Sequence, residues 1–280
     1  MNTLHVKSWH NREYGWRATG TVQAKHADID ITVREPREWD ESTGLTYVMA
    51  NGWTAGKASM RLPAIVAAKT GHRAITINYT NTGTTQSLRS NVRDVVSVID
   101  AVSGKSRVSA MGLSMGGAVV TMALKDVGEQ LETATLVAPG KYIREDLISR
   151  HEIVKRFLAE SLEVRDVGRN LKNALFLGAA STANCVQRPL AVVAELTELL
   201  QGTVHEDLIE AKSMDHSPYV RFMWGQNDLL LPPFAQDEST KHLPFDERLS
   251  YLGGHAMLAY DRSLAEAIFQ RDAELLAVPH

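Results

Sequence analysis

Apolar positions along the chain fall into two alternating rhythms. VQAKHADIDITVRE (22–35) alternates apolar and polar residues as a half-buried strand does. LTYVMA (45–50) is a compact apolar run of the kind buried on both faces. ASMRLPAIVAAKTG (58–71) has a helical pattern despite Pro63, with Gly71 in position to end it. RAITINY (73–79) returns to strand, and SLRSNVRDVVSVIDAV (87–102) predicts an amphipathic helix with a serine near its start to cap it. SRVSAMG (106–112) predicts a strand, GAVVTMALKDVG (117–128) a helix and LETATLVAP (131–139) a strand. Strand and helix in this alternation predict right-handed crossovers and a mostly parallel sheet flanked by helices.

After Pro139 the rhythm changes. Residues 140–217 hold mainly helical stretches, among them EDLISRHEIVKRFLAESLEV and RPLAVVAELTELLQG. Alternation resumes with PYVRFMWG (218–225), a helical segment near PFAQDESTKHL, ERLSYLG (247–253) and SLAEAIFQRDAELLAV. The expectation is therefore an α/β core from residues 1–139 and 218–280, interrupted by an inserted helical cap at 140–217.

Bulk properties narrow the function classes. A chain of 280 residues suffices for one large domain with an insertion. Its 30 basic and 33 acidic side chains leave a net charge of −3, and the basic residues are scattered, so no footprint for nucleic acid is expected. One cysteine, Cys185, leaves no internal disulfide, and no Cys/His cluster has zinc spacing. The first 16 residues lack the apolar centre of a signal peptide, and no apolar run approaches the ~20 residues of a membrane span. These features predict a soluble, cytoplasmic protein. SGKS (103–106) echoes the end of a P-loop, but Ile99 stands where the required glycine would be, and the segment precedes a strand.

The chemistry-bearing pattern is Gly112-Leu113-Ser114-Met115-Gly116, a G-x-S-x-G sequence between a predicted strand and a predicted helix. In that context the turn projects the serine hydroxyl outward, and the helix N-terminus offers free N–H groups to a developing oxyanion. A serine hydroxyl is a weak nucleophile until a base takes its proton, and that base is best a histidine oriented by a carboxylate.

On these residues, and from about residue 22 onward, the chain resembles the α/β-hydrolase family. The resemblance implies a triad in the order serine, acid, histidine. The acid follows the strand after the cap, which is Asp228 in FMWGQNDLLLP. The histidine follows the last strand, which is His255 in SYLGGHAML. Asp237 and Glu238 are weaker choices for the acid because they fall inside the next predicted helix. The resemblance also implies oxyanion donors from the backbone N–H of Met115 and of Trp53, in the loop VMANGWTAGK. Family members often carry His-Gly in that loop where this chain has Asn51-Gly52, which argues against the HGGG type of esterase.

The activity so implied is hydrolysis of a carboxylic ester through an acyl-enzyme, with no metal and no organic cofactor. The expected partner is a small or medium apolar acyl substrate; self-association is left open. Thioester, lysophospholipid, amide and C–C hydrolysis, acyl transfer and slow-turnover ligand reception use similar parts and stay open on sequence alone.

Overall fold

The computed structural model describes residues 2–12, 15–41, 44–52, 58–79, 87–149, 151–153, 155–156, 197–199 and 201–277. Nine strands run in chain order: β1 (Thr3–Arg12), β2 (Gly15–Gln23), β3 (Asp28–Glu35), β4 (Leu45–Ala50), β5 (Arg73–Asn78), β6 (Arg107–Leu113), β7 (Thr133–Val137), β8 (Tyr219–Gly225) and β9 (Glu247–Tyr251). They form one sheet in the order β1-β2-β3-β5-β4-β6-β7-β8-β9. From β5 to β9 every pair is parallel, while β1, β2 and β3 add an antiparallel edge. β4, β6 and β7 are buried along nearly their whole length, because helices cover both faces of a parallel sheet.

Helices α1 (Arg61–Lys69), α2 (Leu88–Val102), α3 (Met115–Val127), α4 (His205–Lys212), α5 (Pro233–Thr240) and α6 (Arg262–Leu276) supply those layers. Val95 and Ile99 of α2, Val119 and Leu124 of α3, and Leu208 of α4 pack on one face. Ala64 and Ala67 of α1 pack with Ile268 and Phe269 of α6 on the other. Pro63 is tolerated in α1 because it lies in the first turn, where its missing N–H has no acceptor within the helix. Gly71, at φ +91°, takes the left-handed conformation that ends the helix. The Ser87 hydroxyl caps α2 by accepting the Ser90 N–H at 3.3 Å.

A buried ionic group fastens α6 to the sheet. Arg221 of β8 donates to Asp272 at 2.7 Å and to Glu247 of β9 at 2.6 Å, and the Tyr47 hydroxyl of β4 donates to Asp272 at 2.8 Å. Arg221 and Asp272 are 1% and 0% exposed, so each charge depends on the other for solvation.

Two expectations are corrected. Residues 22–35 are not one strand: β2 ends at Gln23, Ala24 N–H donates to the Ala27 carbonyl at 3.1 Å, and β3 starts at Asp28. The apolar–polar alternation continues through that turn and hides it. The β1–β2 hairpin, Thr3–Gln23, is an addition to the expected elements. Its outer strand is largely exposed, and the register shift between Val6 and Trp9 breaks the period of two.

The core also takes in both ends of the stretch expected as a cap. Tyr142 is fully buried, and its hydroxyl shares a 2.8 Å hydrogen bond with Thr121 of α3. Val204, Leu208 and Ala211 belong to the α2–α3 layer. Residues 157–196, most of the expected insertion, lie outside the described residues.

Candidate active site

The sheet order reverses at β4, whose neighbours are β5 and β6, and an α/β sheet gathers ligands beyond the carboxyl ends of strands at such a switch point. Ser114 stands there, between the last residue of β6 and the first of α3. Its backbone is at φ 54°, ψ −118°, a conformation that costs a side-chain-bearing residue about 1–3 kcal/mol. Backbone hydrogen bonds hold it: Ser114 N–H donates to Val137 O at 2.9 Å, while Ser114 O accepts from Gly117 N at 2.9 Å, Gly140 N at 3.0 Å and Ala118 N at 3.4 Å. The glycines around it answer to crowding. A Cβ on Gly112 would strike the Gly116 carbonyl, and one on Gly116 would strike the carbonyl of Ala50 at the end of β4.

Asp228 sits three residues past β8, and His255 four past β9. Neighbouring strands carry the two loops, which are tied together by Gln226 N–H to Tyr251 O at 2.8 Å and Asn227 N–H to Gly253 O at 3.0 Å. The structure brings Ser114, His255 and Asp228 into one relay: Ser114 Oγ lies 2.8 Å from His255 Nε2, and His255 Nδ1 lies 2.9 Å from Asp228 Oδ2. Asp228 is 2% exposed and His255 7%, so the relay is dry on its inner side. A carboxylate can only accept; Nδ1 therefore carries the ring proton, and the Nε2 lone pair of the neutral imidazole faces the serine hydroxyl.

The Asp228 carboxylate is filled from every side. Oδ1 accepts the Leu231 N–H at 2.7 Å, and Oδ2 accepts Gln236 Nε2 at 3.2 Å besides the imidazole. Gln236 of α5 is fully buried and also donates to the Leu231 carbonyl. No sequence motif marks Gln236. Its one signal is a glutamine on the buried side of α5, beside Ala235, Ser239 and Thr240. Asp237 and Glu238 are engaged elsewhere, with Arg248 at 2.9 Å and Lys241 at 2.7 Å.

Met115 opens α3, so its N–H belongs to the first turn, where backbone donors have no partner within the helix. Trp53 lies outside the described residues. The strand that leads to it is anchored: the buried Asn51 amide donates to the Ile77 carbonyl of β5, and Gly52 N–H donates to Ser59 Oγ at 3.0 Å. Leu229, Phe234 and Leu252 are exposed on the segments flanking Asp228 and His255. Among the described residues, no group of three or more His, Cys, Asp or Glu could hold a metal ion, and no helix is long and apolar enough to cross a membrane.

A family model described as the alpha/beta hydrolase family matches residues 47–269. A search of curated proteins gives no match. Among solved structures, the chain is similar to an esterase from Exiguobacterium antarcticum (TM-score 0.70, 16% identity, 90% of this chain and 98% of that one). It is similar to a thermophilic esterase from Thermogutta terrifontis (TM-score 0.68, 16% identity, 94% and 99%). An enol-lactonase from Burkholderia xenovorans gives a TM-score of 0.68 at 13% identity, over 92% and 100%.

Proposed function

The chain belongs to the alpha/beta hydrolase family, and we propose that within it this protein is a serine hydrolase that cleaves carboxylic esters through an acyl-enzyme. The observation that carries this reading is the unbroken relay from Ser114 Oγ through His255 to the buried Asp228.

Ser114 Oγ attacks the ester carbonyl carbon as its proton passes to His255 Nε2. Asp228 keeps the ring oriented and stabilises the imidazolium that results. The tetrahedral oxyanion is met by the Met115 N–H at the start of α3 and, in this reading, by the Trp53 N–H. One missing donor of this type typically costs about 10²–10³ in rate. The imidazolium returns its proton to the leaving alkoxide, and the alcohol departs. Water then attacks the acyl-enzyme with His255 as base, and the carboxylic acid leaves Ser114 free. The balance requires the ester and one water, with no cofactor.

The exposed Leu229, Phe234 and Leu252, on the segments flanking Asp228 and His255, favour a small or medium apolar acyl group over a charged one. The setting this reading takes is a soluble enzyme of the cytoplasm.

The test uses p-nitrophenyl esters of increasing acyl length and a fluorophosphonate probe read by intact mass, with Ser114→Ala alongside. Multiple turnovers and a single adduct, both absent in the variant, are expected. Labelling without turnover would redirect the reading to transfer onto an acceptor other than water. Neither labelling nor turnover in folded protein would overturn the nucleophile assignment.

A further inference from the structure

The edge formed by β1, β2 and β3 carries a second cluster of chemistry, remote from Ser114. Along β2, Ala18, Gly20 and Val22 face inward, which turns Arg17, Thr19 and Thr21 to the opposite face. Register sets Arg17 directly opposite Arg34 of β3, and His10 of β1 opposite Arg17. One step along, Thr19 stands opposite Thr32. Like charges facing each other across an antiparallel pair destabilise a sheet, so this pairing costs the fold some stability.

Two polar atoms in this patch are buried without a hydrogen-bond partner, Arg17 Nε and Thr32 Oγ1. Every described charge that acts on Arg34 is another guanidinium: Arg17, Arg61 and Arg12. Burial, followed by those three cations, pulls Arg34 down to about 10. The neighbouring carboxylate, Glu35, points to the other face and is engaged by Arg73 at 2.8 Å. Guanidinium groups gathered in this way, with a hydroxyl beside them, match the oxygens of a multiply charged oxyanion.

We propose that Arg17 and Arg34, with Thr32 beside them, form a binding site for a small phosphate-bearing anion carrying at least two negative charges. Arg34 pairs with Ala74 near the start of β5, and β5 and β4 separate β3 from β6, so the site is distinct from the Ser114 centre. A bound anion accepts from the guanidinium groups of the half-buried Arg17 and Arg34 and screens their repulsion. The inference does not depend on the ester chemistry.

The probe is inorganic pyrophosphate, titrated calorimetrically into the full chain at low ionic strength. Saturation at one equivalent is expected, with a rise in Tm and weakening as salt is added. Arg17→Gln and Arg34→Gln should each weaken binding by about tenfold or more. Both variants should keep wild-type labelling by fluorophosphonate and melt no lower than wild type without ligand, since each removes a repulsion. Absence of saturable binding, or equal binding by both variants, would overturn the proposal. Capture by phosphatidylglycerol vesicles without pyrophosphate binding would overturn it too, in favour of a membrane surface.

Discussion

Gln236 Nε2 donates to the same Asp228 oxygen, Oδ2, that receives His255 Nδ1. The amide thereby limits how the carboxylate can turn, and the carboxylate in turn limits the imidazole. Replacing Gln236 by Met keeps the bulk of the side chain and removes the donor. The expected result is a fall of about tenfold in kcat with little change in KM, and an equal slowing of fluorophosphonate labelling. Unchanged kcat in folded Gln236→Met would show that Leu231 N–H alone positions the acid.

Ser114 is expected to separate activity from stability. Ser114→Gly removes the Cβ from a backbone at φ 54°, so turnover disappears while the fold gains. The gain over Ser114→Ala should be about 1 kcal/mol, or roughly 2 °C or more in Tm. Thermal melts of the two variants side by side measure it. A glycine variant no more stable than the alanine one would mean the turn is not strained.

The Arg221–Asp272 pair makes a stability prediction of the opposite sign. Asp272→Ala leaves Arg221 buried with one carboxylate fewer and the Tyr47 hydroxyl without its acceptor. The expected cost is about 3–5 kcal/mol, read from urea unfolding. A loss below 1 kcal/mol would mean that water reaches Arg221 when its partner is removed.

Acid sensitivity follows from two half-buried histidines. Burial holds His72 and His205 below the ordinary value of 6.5. The unfolded chain binds their protons more readily than the folded one, so stability rises with pH across that window. Their contribution is complete above pH 6.5 and is lost as pH falls through the depressed folded values. His72 stacks edgewise on Tyr47, with ring centroids 5.5 Å apart, and His72→Phe should flatten part of the decline in Tm between pH 7 and 5. An identical slope in the variant would assign the sensitivity to other groups.

What could be read from the chain divides along physical lines. The parallel core was legible because strands buried on both faces appear as continuous apolar runs, as at 45–50 and 131–139. The serine turn was legible because its crowding demands glycine at 112 and 116, which marks the sequence itself. The β1–β2 hairpin left no comparable trace, since one face is open to water and a register shift interrupts the other. Gln236 was not legible as a partner of Asp228. Its contact arises from how α5 folds back over the loop after β8, and no local pattern encodes that return. The cation pair Arg17–Arg34 likewise depends on register, which alternation across 22–35 concealed.

β9 is the last strand of the sheet among the described residues and has β8 as its only neighbour there. His255 hangs from that margin, whereas Ser114 is rooted in the interior. Edge elements open more readily than interior ones, so His255 can part from Ser114 by local fraying while most of the molecule stays folded. Heat inactivation would then precede the main calorimetric transition and reverse on cooling.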